Sequence, residues 1–302
     1  MARAAGIGGS FGRERTTLHA WLMLAPAMIL LVAFTHYPAL ATIWHSFFST
    51  PKGARPARFI GAENYAVLAD DPVFWLVLKN NLIYALGTVP LSIGIALSMA
   101  LWVNGRIRGK AAMRMAYFVP TVLPMIAVAN LWLFFYTPDY GLIDRMTRLL
   151  FGWGPTNWIG SQETALGAMM MVAIWKEAGF FMIFYLAALQ AIPPVLHEAA
   201  AVEGASRFYT FRRVTLPLLG PTTLFIAVNA VINGFRLVDH IIVMTHGGPD
   251  NATALLLTYI YDVGFRYWDT ALASALTVVL LLILCLLAAA QFLLMGRRTH
   301  YR

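Results

Sequence analysis

Six apolar stretches, each long enough to cross a bilayer, constrain this 302-residue chain more than any other feature: Leu18 to Phe48, Phe74 to Val103, Met113 to Tyr136, Thr164 to Ile192, Pro221 to Val243 and Thr270 to Met295. A helix needs about 20 apolar residues to traverse the hydrocarbon. The excess length of several stretches permits tilt or projection beyond the bilayer without fixing either. The predicted fold is therefore an all-α membrane protein of six transmembrane helices, one domain over 18–295 flanked by segments 1–17 and 296–302. Composition agrees, because 60% apolar and 12% charged residues cannot supply the polar shell of a soluble domain. The run beginning at Leu18 is too long for the core of a cleavable signal and reads as a retained anchor.

Lys and Arg orient the spans, since cytoplasmic connections keep positive charge. Arg3, Arg13 and Arg15 precede the first span; Arg106, Arg108, Lys110 and Arg114 join the second to the third; Arg207, Arg212 and Arg213 join the fourth to the fifth; Arg297, Arg298 and Arg302 end the chain. The opposite connections mix their basic residues with Glu63, Asp70, Asp71, Asp139, Asp144, Glu163, Asp250, Asp262 and Asp269. Both termini are expected in the cytoplasm of a bacterial or archaeal cell, with the chain multi-pass in its cytoplasmic (inner) membrane. The formal charge of +8 raises nucleic acid as a partner, but the basic residues form short clusters between apolar runs rather than one aromatic-studded face. Cys285, alone in an apolar stretch, allows no intramolecular disulfide and reads as a packed small residue.

The connection between spans four and five is more than a tether. Pro193 and Pro194 end one helix, Glu198-Ala199-Ala200-Ala201 favours a short new one, and Gly204-Ala205 permits a close turn. Phe208, Phe211 and Val214 then recur at helical spacing opposite Arg207, Arg212 and Arg213, and Leu216-Pro217 closes the element before Pro221. An amphipathic helix lying on lipid is the plainer alternative.

The spacing resembles the "EAA" loop in the integral membrane subunits of binding-protein-dependent ABC importers: EAA, two residues, DGA, five residues, F, two residues, I, one residue, LP, three residues, P. Glu198-Ala199-Ala200, Gly204-Ala205, Phe211, Leu216-Pro217 and Pro221 fall in register, with Glu203 in place of Asp and Val214 in place of Ile. Trp175-Lys176, the run Phe184 to Pro193 and the turn Gly247-Gly248-Pro249 are similar to the carbohydrate-uptake branch, in particular the first permease subunit of sugar or glycerol-3-phosphate systems. The resemblance implies a type I importer transmembrane domain with a cytoplasmic coupling helix in loop 197–217. It implies as partners a second homologous permease subunit, two ATP-binding subunits that hold the ATP and magnesium, an extracytoplasmic solute-binding protein, membrane lipid and a small-molecule solute. The ATPase contact would fall on Glu198, Ala199, Ala200, Glu203, Gly204, Ala205, Arg207 and Phe211.

The chain itself offers no nucleotide site, cofactor site or metal site. Gly105 to Ala111 is one residue short of a phosphate loop and has Ala where Ser or Thr must hold magnesium, and His197-Glu198 lacks the second histidine of a zinc-protease helix. Solute-binding candidates are polar residues inside spans, where an unpartnered group is costly. Asn229, Asn233 and Arg236 form one helical stripe followed by Asp239 and His240, and Lys176, Glu177 and Phe180 lie in the fourth span. Asn80, Asn81 and Tyr84 are further candidates. Each also has a structural reading: Arg236 with Asp239, Lys176 with Glu177, and asparagines bonding between helices. A neutral sugar or oligosaccharide is the expected cargo, with glycerol-3-phosphate or a glycerophosphodiester as the alternative. An ion-coupled secondary transporter is the competing class, and no paired nucleophile and base supports a membrane enzyme.

Overall fold

The computed structural model describes residues 9–53, 55–105 and 108–296; Arg3, Arg106, Arg297, Arg298, Arg302 and most of the two end segments lie outside the described residues, as do the side chains of Arg13 and Arg15. Among the described residues the chain is helical, with isolated bridges at Phe48–Phe59 and Lys52–Arg55. Helix α1 (Gly9–Leu31) passes through a π-helical turn at Val32–His36 into α2 (Tyr37–His45), and together they make the first span. The widened turn lies just before Pro38, which has no amide to return to the preceding carbonyls.

After the short α3 (Glu63–Asp70), helix α4 (Pro72–Asn104) begins on a strong start signal. The Asp71 side chain accepts from Val73 N at 2.9 Å, and Pro72 occupies the first turn, where no amide bond is lost. Its 33 residues rise about 50 Å, so it projects well past a hydrocarbon layer of about 30 Å.

The third expected span is present as a broken pair rather than one rod. Helices α5 (Lys110–Val122) and α6 (Met125–Phe135) meet at 102°. Pro124 disfavours helical geometry in the residue before it, and Leu123 and Pro124 are both extended, with ψ of 136° and 139°. Beyond it, α7 (Leu142–Phe151) is an amphipathic helix whose buried Asp144 accepts from the amides of Thr156 and Asp139 and pairs with Arg148.

Helix α8 (Ala165–Ala191) returns to the basic end of the bundle, where α9 (Pro194–Val202), α10 (Arg207–Thr210), a π-helical turn (Phe211–Thr215) and α11 (Leu216–Leu218) form an excursion. Helices α12 (Gly220–Arg236) and α13 (Asp239–Met244) make the fifth span, interrupted at Leu237. Helix α14 (Leu256–Tyr261) and a π-helical turn (Asp262–Arg266) lead to α15 (Thr270–Gly296). Among the described residues five helical spans, or six with the bent pair, agree with the six apolar stretches.

Lipid tails offer helices little hydrophobic reason to associate, so membrane helices pack through close fit and small residues. Ala96 and Ala100 of α4 are fully buried against a cluster containing Phe181, Met182 and Tyr185 of α8. A Cβ on Gly179 would stand 2.1 Å from the Tyr117 carbonyl oxygen, so α8 and α5 approach to backbone contact there. At the opposite, acidic end, Asn80 donates to the carbonyls of Asn251 and Ala254, while Asn81 donates to Gly234 O and accepts from Leu256 N. These two asparagines take the structural reading and pin the loop 245–256 onto α4. Cys285 is exposed rather than packed.

Candidate functional site

The excursion between α8 and α12 is built by local backbone chemistry. Ile192 is extended before Pro193, which ends α8, and Pro194 opens α9. Helix α9 closes in a paired C-terminal cap: Gly204 N donates to Ala201 O at 3.1 Å and Ala205 N to Ala200 O at 2.9 Å. That cap needs a left-handed residue, and Gly204 supplies it at φ +74°. Ser206 then caps α10, accepting from Tyr209 N at 3.2 Å.

This geometry leaves Glu198, Ala199, Glu203, Gly204 and Arg207 exposed, Ala205 and Phe211 half-buried, and Ala200 buried. Val202 and Phe208, 89% and 71% exposed, add apolar surface that the chain does not cover. Between α9 and α10 a groove of about 340 Å³ is lined by His197, Ala201, Ala205, Arg207 and Phe211.

A second feature lies inside the bundle. Helices α4, α6, α8, α12 and α13 enclose a cavity of about 60 Å³ whose polar lining is Tyr84, Lys176, Glu177, Asn233 and His240. A buried water needs roughly 10–15 Å³, so the space suits a few waters rather than a solute, which takes about 300 Å³ or more. Tyr84 Oη lies 3.1 Å from His240 Nε2. Glu177 is buried, and its Oε1 has no hydrogen-bond partner.

The sequence candidates divide. Glu177, Asn233 and Lys176 meet at the cavity, joined by Tyr84. Lys176 does not pair with Glu177; its ammonium donates to the carbonyls of Pro120, Thr121 and Leu123. Asn229 donates back to Phe225 O on its own helix. Arg236 and Asp239 are exposed, and among the described residues no ion pair joins them. Phe180 lies in an aromatic row with Phe184 and Phe225, at centroid spacings of 5.1 and 5.3 Å. Met125, Ala173, Gly234, Leu237 and His240 complete the lining. The interruptions at Leu123–Pro124 and Leu237 bring Met125 and Leu237 there, for which a reading of continuous spans gives no signal, whereas His240 is a candidate from the sequence. Among the described residues no three metal-ligating side chains converge.

Residues 89–301 match the family described as the binding-protein-dependent transport system inner membrane component. The chain is 35% identical to the sulfoquinovosyl glycerol transport system permease protein SmoG of Agrobacterium fabrum, over 87% of this chain and 85% of that one. It is 32% identical to the sn-glycerol-3-phosphate transport system permease protein UgpA of Brucella abortus, over 93% and 96% of the two chains. Its fold is similar to a chain in the crystal structure of a bacterial alginate ABC transporter complexed with an alginate-bound periplasmic protein, at a TM-score of 0.84 and 23% identity over 96% and 98%. The chain belongs to the inner membrane components of binding-protein-dependent transport systems, and among them to the carbohydrate-uptake permeases of ATP-driven importers.

Proposed function

We propose that this permease forms one half of a translocation path for a neutral, hydroxyl-rich carbohydrate, with the excursion 194–218 as its contact with a separate ATPase. The single observation that carries the cargo assignment is the free Oε1 of Glu177 beside Asn233, Tyr84 and His240. Sugar hydroxyls donate to such a set. The neighbouring cation does not redirect it toward phosphate, because the Lys176 ammonium is already held by three carbonyls. At this cavity, which Arg236 does not line, that disfavours the glycerol-3-phosphate or glycerophosphodiester alternative.

The reading extends to partners. A cavity of about 60 Å³ is too small for a sugar, so a second homologous permease completes the path and an alternating motion opens it. Two ATP-binding subunits dock on α9 and the turn at Gly204 from the cytoplasm, both termini lie on that same side as the basic connections suggest, and an extracytoplasmic receptor delivers solute to the opposite end. The exposed Val202 and Phe208 support docking over a bare turn. ATP and magnesium belong to those partners.

The test is uptake by the complete complex in proteoliposomes, with Glu177→Gln and Asn233→Ala. Both variants should raise the KM for sugar about tenfold, the scale of one lost hydrogen bond to a charged or buried group. Unchanged KM in both, or uptake driven by an ion gradient without ATP, would overturn the reading.

A further inference from the structure

A helix broken inside a bilayer leaves carbonyls with no amide to meet and no water to replace it. Helix α5 ends in this way at Val122. The following residues offer no local remedy, because Leu123 and Pro124 are extended, no glycine is present to fold back as a cap, and proline has no amide. The remedy comes from α8. Lys176 Nζ donates to Pro120 O at 3.3 Å, to Thr121 O at 3.4 Å and to Leu123 O.

Two further contacts tighten the same joint. The Thr121 hydroxyl lies 3.5 Å from Lys176 O as its donor, and Gly179, almost one turn along α8, lies where any Cβ would meet the Tyr117 carbonyl at 2.1 Å. The joint has consequences at both of its ends. Met125, the first residue of α6, lines the cavity, and α8 runs through Ile192–Pro193 directly into α9.

We propose that Lys176 is a positioning residue for transport: its tethered ammonium takes the place that a metal cation holds on unwound carbonyls in other broken membrane helices, and locks the α5–α6 elbow to α8. Displacement of α8 through α9 then carries the elbow and its cavity wall with it. The motion rests on the reading of 194–218 as the ATPase contact; the lock itself does not.

The experiment uses the full complex, with partner permease, ATPases and receptor, in proteoliposomes. Lys176→Ala should lower sugar turnover per assembled complex about tenfold or more, leave KM within about twofold, and regain turnover when ethylammonium is added. A raised KM with turnover kept would make the ammonium a solute contact and overturn the proposal. Fewer complexes at normal turnover each would reduce it to ordinary packing, which also overturns it, as would wild-type turnover. Should Lys176→Ala yield no complex, Gly179→Ala decides, since it pries open the same joint with the ammonium intact; normal turnover there is again fatal. If the wild-type complex takes up no sugar, the functional reading fails separately. Spin labels at positions 134 and 183 then test the lock, because their distance broadens in Lys176→Ala only if the ammonium holds the elbow.

Discussion

Substitution of Gly204 separates the shape of the α9 turn from its contact with a partner. The residue sits at φ +74°, and a Cβ there would meet nothing within 4 Å in this chain. The internal cost of Gly204→Ala is therefore backbone strain alone, about 1–2 kcal/mol for an L-residue held left-handed. Gly204→Asn carries little of that cost, because asparagine tolerates the conformation and occurs at this cap position. If the glycine also lies in a close-packed ATPase groove, every side chain there adds overpacking of about 1–3 kcal/mol. Gly204→Asn should then weaken ATPase binding roughly fivefold or more, and Gly204→Val, which incurs both costs, by about 2–5 kcal/mol, roughly thirty-fold or more. Titration of purified ATPase against the detergent-solubilised permease pair measures these affinities, and the amount of inserted permease should be equal in all variants. Wild-type affinity for Gly204→Asn alongside a loss in Gly204→Ala confined to the strain value would refute the contact, leaving the turn as a conformational device.

Asn81→Leu should lower the thermal unfolding midpoint of the solubilised chain, because the Leu256 amide and Gly234 carbonyl lose a buried partner at a cost of about 1–3 kcal/mol; an unchanged midpoint refutes the pinning role. Gly141→Ala should likewise destabilise the α6–α7 corner, since its Cβ would fall 2.3 and 2.5 Å from the Phe135 and Thr137 carbonyl oxygens; proteolysis between residues 137 and 141 reads the opening. The Thr156 amide above all, with Asp139 N and Arg148, holds the Asp144 carboxyl below the ordinary carboxylate range. A lowered folded value means a stabilising contribution present above that range and lost as pH falls through the lowered value, so pepsin cleavage near Phe151 should appear only below about pH 4 in the wild type and at higher pH in Asp144→Asn.

Long apolar runs carry a strong sequence signal because a bilayer imposes a length, and here the spans begin and end within a few residues of where the sequence puts them. The loop 197–217 was legible for a different reason: prolines, an alanine run and a glycine each act on the local backbone, so their order in sequence is their order in space. The elbow at Leu123–Pro124 had a local signal as well, but hydropathy reads straight through it, and the segment 113–136 averages to one rod. The cavity was legible only in part. Glu177 and Asn233 stood out as polar groups in lipid-length helices, whereas Met125 and Leu237 reach the same place only because their helices break. The stripe of Asn229, Asn233 and Arg236 reaches the cavity at one position only. Asn233 alone of the stripe lines the cavity; Asn229, one turn before it, turns its amide back to the Phe225 carbonyl, and Arg236, at the end of α12, is exposed.

Lys176 and Glu177 show how helix geometry assigns roles that proximity in sequence obscures. Opposite charges side by side invite an ion pair, but consecutive residues point about 100° apart around a helix, so each needs a partner of its own. Lysine finds three carbonyls on α5 and becomes part of the scaffold. Glutamate turns to the cavity, where Asn233 and Tyr84 share its space and Oε1 has no hydrogen-bond partner from this chain. A buried acidic oxygen with no partner is costly, and the cavity has room for only a few waters. Waters in that space can supply the missing donors at rest, and on the reading proposed above a hydroxyl-bearing solute displaces them and donates to the same oxygen.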